Sequence, residues 1–521
     1  MAALMLGAAL LTPGPIASAL PTETSTAPQG LESYYSQEVS WYPCTSKGMD
    51  PAAAASQFSC AKVRVPMDYS QPEGKAIQIA VKKRAAEGES RGLLFINPGG
   101  PGGSGIDMVE TVQGQFSQEL LAGYDIVGFD PRGVGASTPI TCGDAEVPQD
   151  LTSNPAPGQS FEDWAHGYVE KLSALKQACE HNSEPGLLDN VNTVSVARDL
   201  DILRAVSGQG SLNYLGFSYG SEIGYTYADL FPHNTGHMVL DGIVDSAISN
   251  AEFSLGQQEG YEKALRSYVQ ACLAGQAGDG CPLSGSVEDG IQQIRNLIDT
   301  LNASPFTIPS PDPSRFPDTK ITGDVMRQLI SAGLRSNQWQ SLTMLLSGVM
   351  NRQESSSSVE DALKVALEEQ RKETAKESTP AEALAANTAV WCQDRPSLGN
   401  VESWKADYEK SKGLAPTMSV AATLDMNCAA WGHYSTTSPL PQDVHATGAA
   451  PILVVGTTGD PATPYAWAEA IASRLDSGRL VTWQGKGHCA YGKGSSCLSS
   501  AVDDFLLHGK LPEDNLTCPT R

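Results

Sequence analysis

The feature that most restricts the fold is a recurring unit: a short apolar run, then a turn rich in glycine, proline or aspartate, then a helical stretch. "GLLFIN" (92–97) runs into "PGGPGGSG", which can be neither helix nor strand, and "YDIVGFD" (124–130) ends in "PRGVGAST". "LNYLGFS" leads into "SEIGYTYADLF", and "GHMVLDG" (236–242) is a further run of the same kind. Runs this short and continuously apolar read as strands buried on both faces. "TVSVARDLDILRAVSG" has helical spacing, with Val196, Leu200, Leu203 and Val206 on one face and Gly208 placed to end it. Buried strands alternating with helices imply an α/β fold whose mostly parallel sheet is covered on both faces. "AIQIAVKK" alternates apolar and polar residues, which predicts a half-buried edge strand.

The alternation is interrupted once. Residues 247–440 read as mainly helical and polar, with helical spacing in "VEDALKVALEEQRKE" (359–373), a proline-rich connection at 302–319 and a loop "ESSSS" (354–358). Strand–helix alternation then returns: "PILVVG" (451–456), the helix "PYAWAEAIASRL", "RLVTW" (479–483) and the closing helix "LSSAVDDFLL". The chain therefore divides into one α/β unit split between 36–246 and 441–521, with a helical insertion at 247–440. A length of 521 residues suits one large domain with such an insertion. No internal repeat is visible.

The first residues, "MAALMLGAALLTPGPIASAL", combine an apolar stretch, a Pro/Gly break and a small-residue Ala-Ser-Ala step, which predicts a secretory signal over 1–19, although the usual basic start is missing. "PTETSTAPQG" opens a linker expected to be disordered over 20–35. Beyond the signal no apolar run is long enough to predict a membrane span, and no lipid-anchor cysteine stands near residue 20. A net charge of −24 argues against nucleic acid. Eleven cysteines fit an oxidising, extracellular or cell-envelope location, where disulfides are their usual use. Cys44/Cys60, Cys142/Cys179, Cys272/Cys281 and Cys392/Cys428 fall in local pairs, while Cys489, Cys497 and Cys518 remain; spacing alone does not fix connectivity. No spacing typical of a metal site or cofactor loop occurs, so neither is expected.

Chemistry is concentrated at three distant places. Ser218 lies in Gly216-Phe217-Ser218-Tyr219-Gly220. With 50 glycines in the chain this pattern alone is weak, but it sits between a buried strand and a helix, the context of a nucleophile elbow. Downstream, Asp460 follows a buried strand in "VVGTTGDPATP", and His488 follows the last strand in "TWQGKGHCAYG". The order Ser, Asp, His at the carboxyl ends of parallel strands predicts nucleophile, orienting acid and base. The loop "NPGGPGGSG" is placed to supply an oxyanion hole, with the Tyr219 amide as one donor and Gly100, or its neighbour Gly99, as the second. A phosphate-binding loop is the competing reading, but no Gly-Lys-Ser/Thr follows. Asp130 and Arg132 in "FDPRGVGAST" read as holding the turn beneath the site.

Taken together, "NPGGPGGSG", "YDIVGFDPRGVGAST", "LGFSYGSEIGYTYADLFP", "VLDGIVD", "CQDRP" and "GTTGDPATP…GKGHCAYG" resemble the secreted tripeptidyl aminopeptidases of actinobacteria, in the proline-aminopeptidase branch of the α/β-hydrolases, over roughly residues 40–521. The resemblance implies an α/β-hydrolase core, a helical cap over the active site, and a secreted serine exopeptidase that removes short peptides from free N-termini. It carries the three roles onto Ser218, Asp460 and His488, and implies a Cys497–Cys518 bridge that leaves Cys489 as a free thiol; a Cys489–Cys497 bridge is the rival. Two residues depart from the pattern: Pro98 stands where the single-proline branch has histidine, and Cys489 where glycine often follows the base. Reading a protonated α-amine needs a carboxylate, for which Glu222, Asp394 and Asp245 are the candidates. The expected partner is a peptide with a free N-terminus, met by a monomer. A secreted carboxylesterase or lipase with the same triad, and a non-catalytic protein on the same scaffold, are the alternatives.

Overall fold

The computed structural model describes residues 27–46, 49, 51–148, 151, 153–308, 319–351, 378–435 and 438–520. The signal at 1–19, the start of the linker, the loop at 354–358, the helix expected over 359–373 and most of the proline-rich connection lie outside the described residues.

Ten strands form one twisted sheet: β1 (Tyr42–Pro43), β2 (Phe58–Pro66), β3 (Ala76–Arg84), β4 (Leu93–Asn97), β5 (Asp125–Phe129), β6 (Leu212–Phe217), β7 (Thr235–Asp241), β10 (Ile452–Gly459), β11 (Gly478–Lys486) and β12 (Leu516–Cys518); β8 (Phe306–Ile308) and β9 (Thr319–Ile321) make a separate antiparallel ribbon. The order is β1-β2-β3-β5-β4-β6-β7-β10-β11-β12. From β5 to β12 every pairing is parallel, while β1, β2 and β3 add an antiparallel flank. Adjacent residues of the central strands feed two apolar layers. Phe95, Tyr214, Leu240 and Val454 face one layer with the helices Thr193–Val206 and Tyr219–Leu230. Leu94, Ile96, Leu215, Val239 and Val455 face the other, with the helices Gly105–Thr111 and Ser496–His508. This two-sided burial is why those strands read as continuous apolar runs.

Two expectations are corrected. β3 is not an edge strand: β2 pairs along its whole length on one side and β5 on the other. Of the charged residues that gave it an exposed look, Lys82 is buried and pairs with Glu110, while Lys83 is half-buried. The linker is ordered at its end. Glu32–Tyr35 forms a short helix, Leu31 and Tyr34 join the core, and Tyr35 donates to Asp201 at 2.7 Å. Its aromatic residues find buried partners, which a polar linker composition conceals.

Between β7 and β10 the described residues are mainly helical. The helix Asn250–Leu273 starts on a Ser249 capping box, and Val287–Ala303, Gly323–Arg335 and Trp339–Met350 share a separate apolar core that includes Leu265, Ile294, Ile330 and Leu346. The helix Pro380–Asp394 returns toward the sheet, where Asn387 donates to the carbonyl of Pro101 at 3.0 Å. This cap segment thus rests on the glycine-rich loop after β4.

Candidate active site

Ser218 stands between β6 and the helix Tyr219–Leu230 with φ 55° and ψ −126°. A non-glycine residue held in this region is strained, and such strain persists only where the surroundings impose it. Here the Ser218 amide donates to the carbonyl of Asp241 at 2.8 Å, and Ser221 returns two hydrogen bonds to the Ser218 carbonyl. The flanking glycines are needed for close approach. A Cβ on Gly216 would lie 2.3 Å from the Gly220 carbonyl oxygen, and one on Gly220 would lie 2.7 Å from the Asn97 carbonyl oxygen.

Asp460 and His488 are brought together from 28 residues apart. His488 Nδ1 lies 2.9 Å from Asp460 Oδ2 and 3.0 Å from Oδ1. The amides of Ala462 and Thr463 donate to Oδ1, each at 2.9 Å; the Thr463 hydroxyl donates to Oδ2 at 2.9 Å, and the Cys489 amide to Oδ2 at 3.0 Å. Burial pushes the Asp460 carboxyl up, but His488 and these donors outweigh it and leave the group below its ordinary value. His488 is also lowered, burial outweighing the pull of Asp460, so its imidazole is neutral at pH 7. Its Nε2 is buried and makes no hydrogen bond among the described residues. Gly242 lies against this ring, since a Cβ there would be 3.2 Å from His488 Cε1, and its neighbour Asp241 holds the Ser218 amide. The elbow and the imidazole are therefore both held against the end of β7, through the neighbours Asp241 and Gly242. Thr463, whose hydroxyl also lies 3.2 Å from His488 Nδ1, is a site residue that sequence reasoning passed over, although it stands in the same "GDPATP" loop.

The loop after β4 packs on the elbow: a Cβ on Gly99 would be 2.8 Å from the Tyr219 nitrogen and 2.9 Å from Ser218 Cβ. The two glycines offered as donors separate here. The Gly99 amide is already used, donating to Asn97 Oδ1 at 2.9 Å, so Gly99 is corrected from donor to spacer. The amides of Gly100 and Tyr219 have no acceptor among the described residues. Asp130 accepts from the Ser104 hydroxyl at 2.6 Å and from the amides of Ile106 and Ala136, tying this loop to the turn after β5. Arg132 grips Asp199 through two 2.7 Å bonds and donates to the carbonyls of Pro66, Met67 and Asn190.

The three acids offered for an amine lie in different settings. Glu222 is fully buried and paired with Arg395 at 2.5 Å, and its Oε2 has no partner among the described residues. Asp394 spends both oxygens on Thr193, at 2.9 Å from the amide and 2.6 Å from the hydroxyl, which in turn meets the Tyr219 hydroxyl. Asp245 is paired with Arg474 and caps the Ala247 amide. Asp394 therefore has a donor on each oxygen, whereas both contacts of Asp245 fall on Oδ1. Burial, and then the nearby Glu222, push Asp394 up to about 7. Arg395 is the residue that the sequence reading missed, although it follows Asp394 in "CQDRP".

Disulfides join Cys44–Cys60, Cys142–Cys179, Cys272–Cys281, Cys392–Cys428 and Cys497–Cys518, and Cys489 is a buried free thiol. Among the described residues no helix is long and apolar enough to cross a membrane.

Comparison with known proteins places the chain among hydrolases. Residues 92–281 match the family model "alpha/beta hydrolase fold", and residues 415–518 match "TAP-like protein". The serine protease Hip1 of Mycobacterium tuberculosis is 32% identical over 488 residues, covering 92% of this chain and 91% of its own. Carboxylesterase B of the same organism is 32% identical over 525 residues, covering 99% and 96%. The tripeptidyl aminopeptidase of Streptomyces lividans is 29% identical over 500 residues, covering 92% and 86%.

Proposed function

The chain belongs to the TAP-like family of serine hydrolases built on the α/β-hydrolase fold, and we propose that it is a secreted exopeptidase releasing tripeptides from free N-termini. The observation that carries the reading is His488, oriented through Nδ1 by Asp460, left with a buried, unpartnered Nε2 and packed on Gly242, whose neighbour Asp241 holds the strained Ser218 elbow. In this reading Ser218 Oγ attacks the scissile carbonyl while His488 Nε2 takes its proton. The Tyr219 and Gly100 amides hold the oxyanion; collapse transfers the proton to the leaving amine, and water then releases the acyl group by the same route. Asp460 fixes the imidazole and stabilises its protonated form.

Specificity for a free amine is assigned to Glu222. It shares a buried group with Asp394 and Arg395, two carboxyls against one guanidinium; its Oε2 makes no direct hydrogen bond among the described residues, with the Tyr225 hydroxyl near enough to favour its ionised form. A substrate ammonium completes that charge balance. The five disulfides support export to an oxidising compartment. A carboxylesterase is the second reading, favoured by the name of one relative that matches nearly the whole chain.

Ala-Pro-Ala-p-nitroanilide, its N-acetylated form and p-nitrophenyl butyrate, given to wild type and Ser218→Ala, test both. Cleavage of the free tripeptide, lost on acetylation and in the variant, is the expected result. Ester turnover without peptide turnover moves the assignment to the esterase.

A further inference from the structure

A second buried carboxylate lies behind the histidine loop. Asp241 ends β7 and is wholly inaccessible to solvent. Its side chain accepts from the Ala490 amide at 3.0 and 2.9 Å and from the Tyr491 amide at 2.7 Å. Its main-chain carbonyl accepts from the Ser218 amide at 2.8 Å, and the Cys489 Sγ lies 3.6 Å from the same oxygen. One residue therefore touches both the nucleophile elbow and the loop that carries the base.

The hydrogen bonds divide the loop between two acids. Asp460 takes the Cys489 amide, and Asp241 takes the next two, so consecutive amides 489, 490 and 491 are held by two carboxylates. Cys489 has φ 62°, a backbone region costly for a residue with a side chain, and this pair of acids imposes it. No cation bonds to Asp241 among the described residues; Lys493 acts on it only from a distance and spends its Nζ on the His488 carbonyl at 2.6 Å. An ionised carboxylate buried on backbone amides alone is a costly device for a loop anchor.

Resting on the serine-hydrolase reading above, we infer that Asp241 is a positioning residue that fixes the His488 loop relative to the Ser218 elbow. Its carbonyl sets where the serine backbone sits and its carboxylate sets where the histidine backbone sits, so the separation between nucleophile and base is fixed within one residue. Facing it are Asp460, Cys489 and Lys493. Burial pushes its carboxyl up to about 6 against the pull of the Tyr491 and Ala490 amides, with Asp460 adding to the rise. Because the folded state penalises its ionised form, removing the charge does not itself cost stability at pH 7.

Asp241→Asn keeps one acceptor and loses the second. Misplacing a base by about 1 Å costs about 100-fold, so kcat and the rate of inactivation by a fluorophosphonate are expected to fall about 10- to 100-fold. KM and Tm are expected to stay close to wild type. Wild-type kcat and inactivation rate in this variant overturn the inference, as does a kcat loss that only tracks a fallen Tm. Should Asp241→Asn not fold, Asp241→Ser, a single acceptor in less space, replaces it; failure of both to fold overturns a separable positioning role. Ser218→Ala is run in parallel. If it keeps turnover, the serine-hydrolase reading fails; if it is dead while Asp241→Asn is unaffected, only the role of Asp241 fails.

Discussion

The molecule buries two carboxyl pairs near its nucleophile, and they are satisfied in opposite ways. Asp460 and Asp241 are held largely by backbone amides, with His488 and the Thr463 hydroxyl completing the first. Glu222 is held by the Arg395 side chain of the cap, and Asp394 by the hydroxyl and the amide of Thr193, so this pair rests mainly on side chains. The difference extends to what is left over. Around Asp460 the open buried atom is Nε2 of His488, whereas Glu222 Oε2 and Arg395 Nε and Nη1 all make no hydrogen bond among the described residues in the second group. Backbone donors cannot rearrange without moving strands and loops, so the first pair is preorganised for chemistry. Side-chain donors carried in part by a cap can rearrange, and their spare donors and acceptors suit a group that meets substrate.

Breaking the second pair at its cation gives the largest expected change in stability. Arg395→Met leaves Glu222 and Asp394 buried without a counter-charge and is expected to cost about 3–5 kcal/mol of unfolding free energy, measured by denaturant titration. A loss under about 1 kcal/mol would mean that these acids do not depend on the guanidinium. The first pair is sharpened by Thr463→Val, which removes one donor to Asp460 and keeps the volume. A hydrogen bond to a charged group is worth about 1.5–3 kcal/mol, so kcat is expected to fall about 10- to 100-fold with KM unchanged in steady-state assays. A change confined to KM would place Thr463 in substrate binding instead.

Glu222→Gln keeps an acceptor for Arg395 and removes one negative charge. KM for a free-amine tripeptide anilide is expected to rise about tenfold, while the butyrate ester is unaffected. An equal effect on both substrates would mean that Glu222 supports the fold and not amine recognition. The smallest effect concerns pH. Asp394 sits at about 7, so below that it is protonated and the group around Arg395 loses its excess negative charge. KM for free-amine peptides is therefore expected to fall a few-fold as pH rises through about 7, then to climb as the substrate amine loses its proton near about 8. The ester should show no such minimum. Linkage runs the other way: a carboxyl raised in the folded state contributes stability below its ordinary value of 3.8 that is lost as pH rises to about 7.

The same contrast explains what the sequence disclosed. The turn at Ser218 and the loops carrying Asp460 and His488 were legible because strand, turn and helix are local patterns and because Gly216 answers a backbone contact with Gly220, although Gly220 itself answers the distant Asn97. The central strands were legible because both of their faces are buried. β3 was misplaced because Lys82 looks solvated until Glu110 reaches it from 28 residues away. The occupancy of Asp394 depends on Thr193, some 201 residues away, and Gly99 loses its donor role to a side chain of Asn97. Asp241 was quoted within "VLDGIVD" but has no local signal, since its partners lie about 250 residues downstream. Chemistry placed by local geometry could be read; polar satisfaction across the fold could not.

The most direct measurement is to map the adduct of a fluorophosphonate on the intact protein by peptide mass spectrometry, at pH 7 and again after His488→Ala. The account predicts a single adduct on Ser218, with its formation slowed by at least about 10³-fold in the variant. An adduct on another serine, or labelling of Ser218 that ignores the loss of His488, would contradict it.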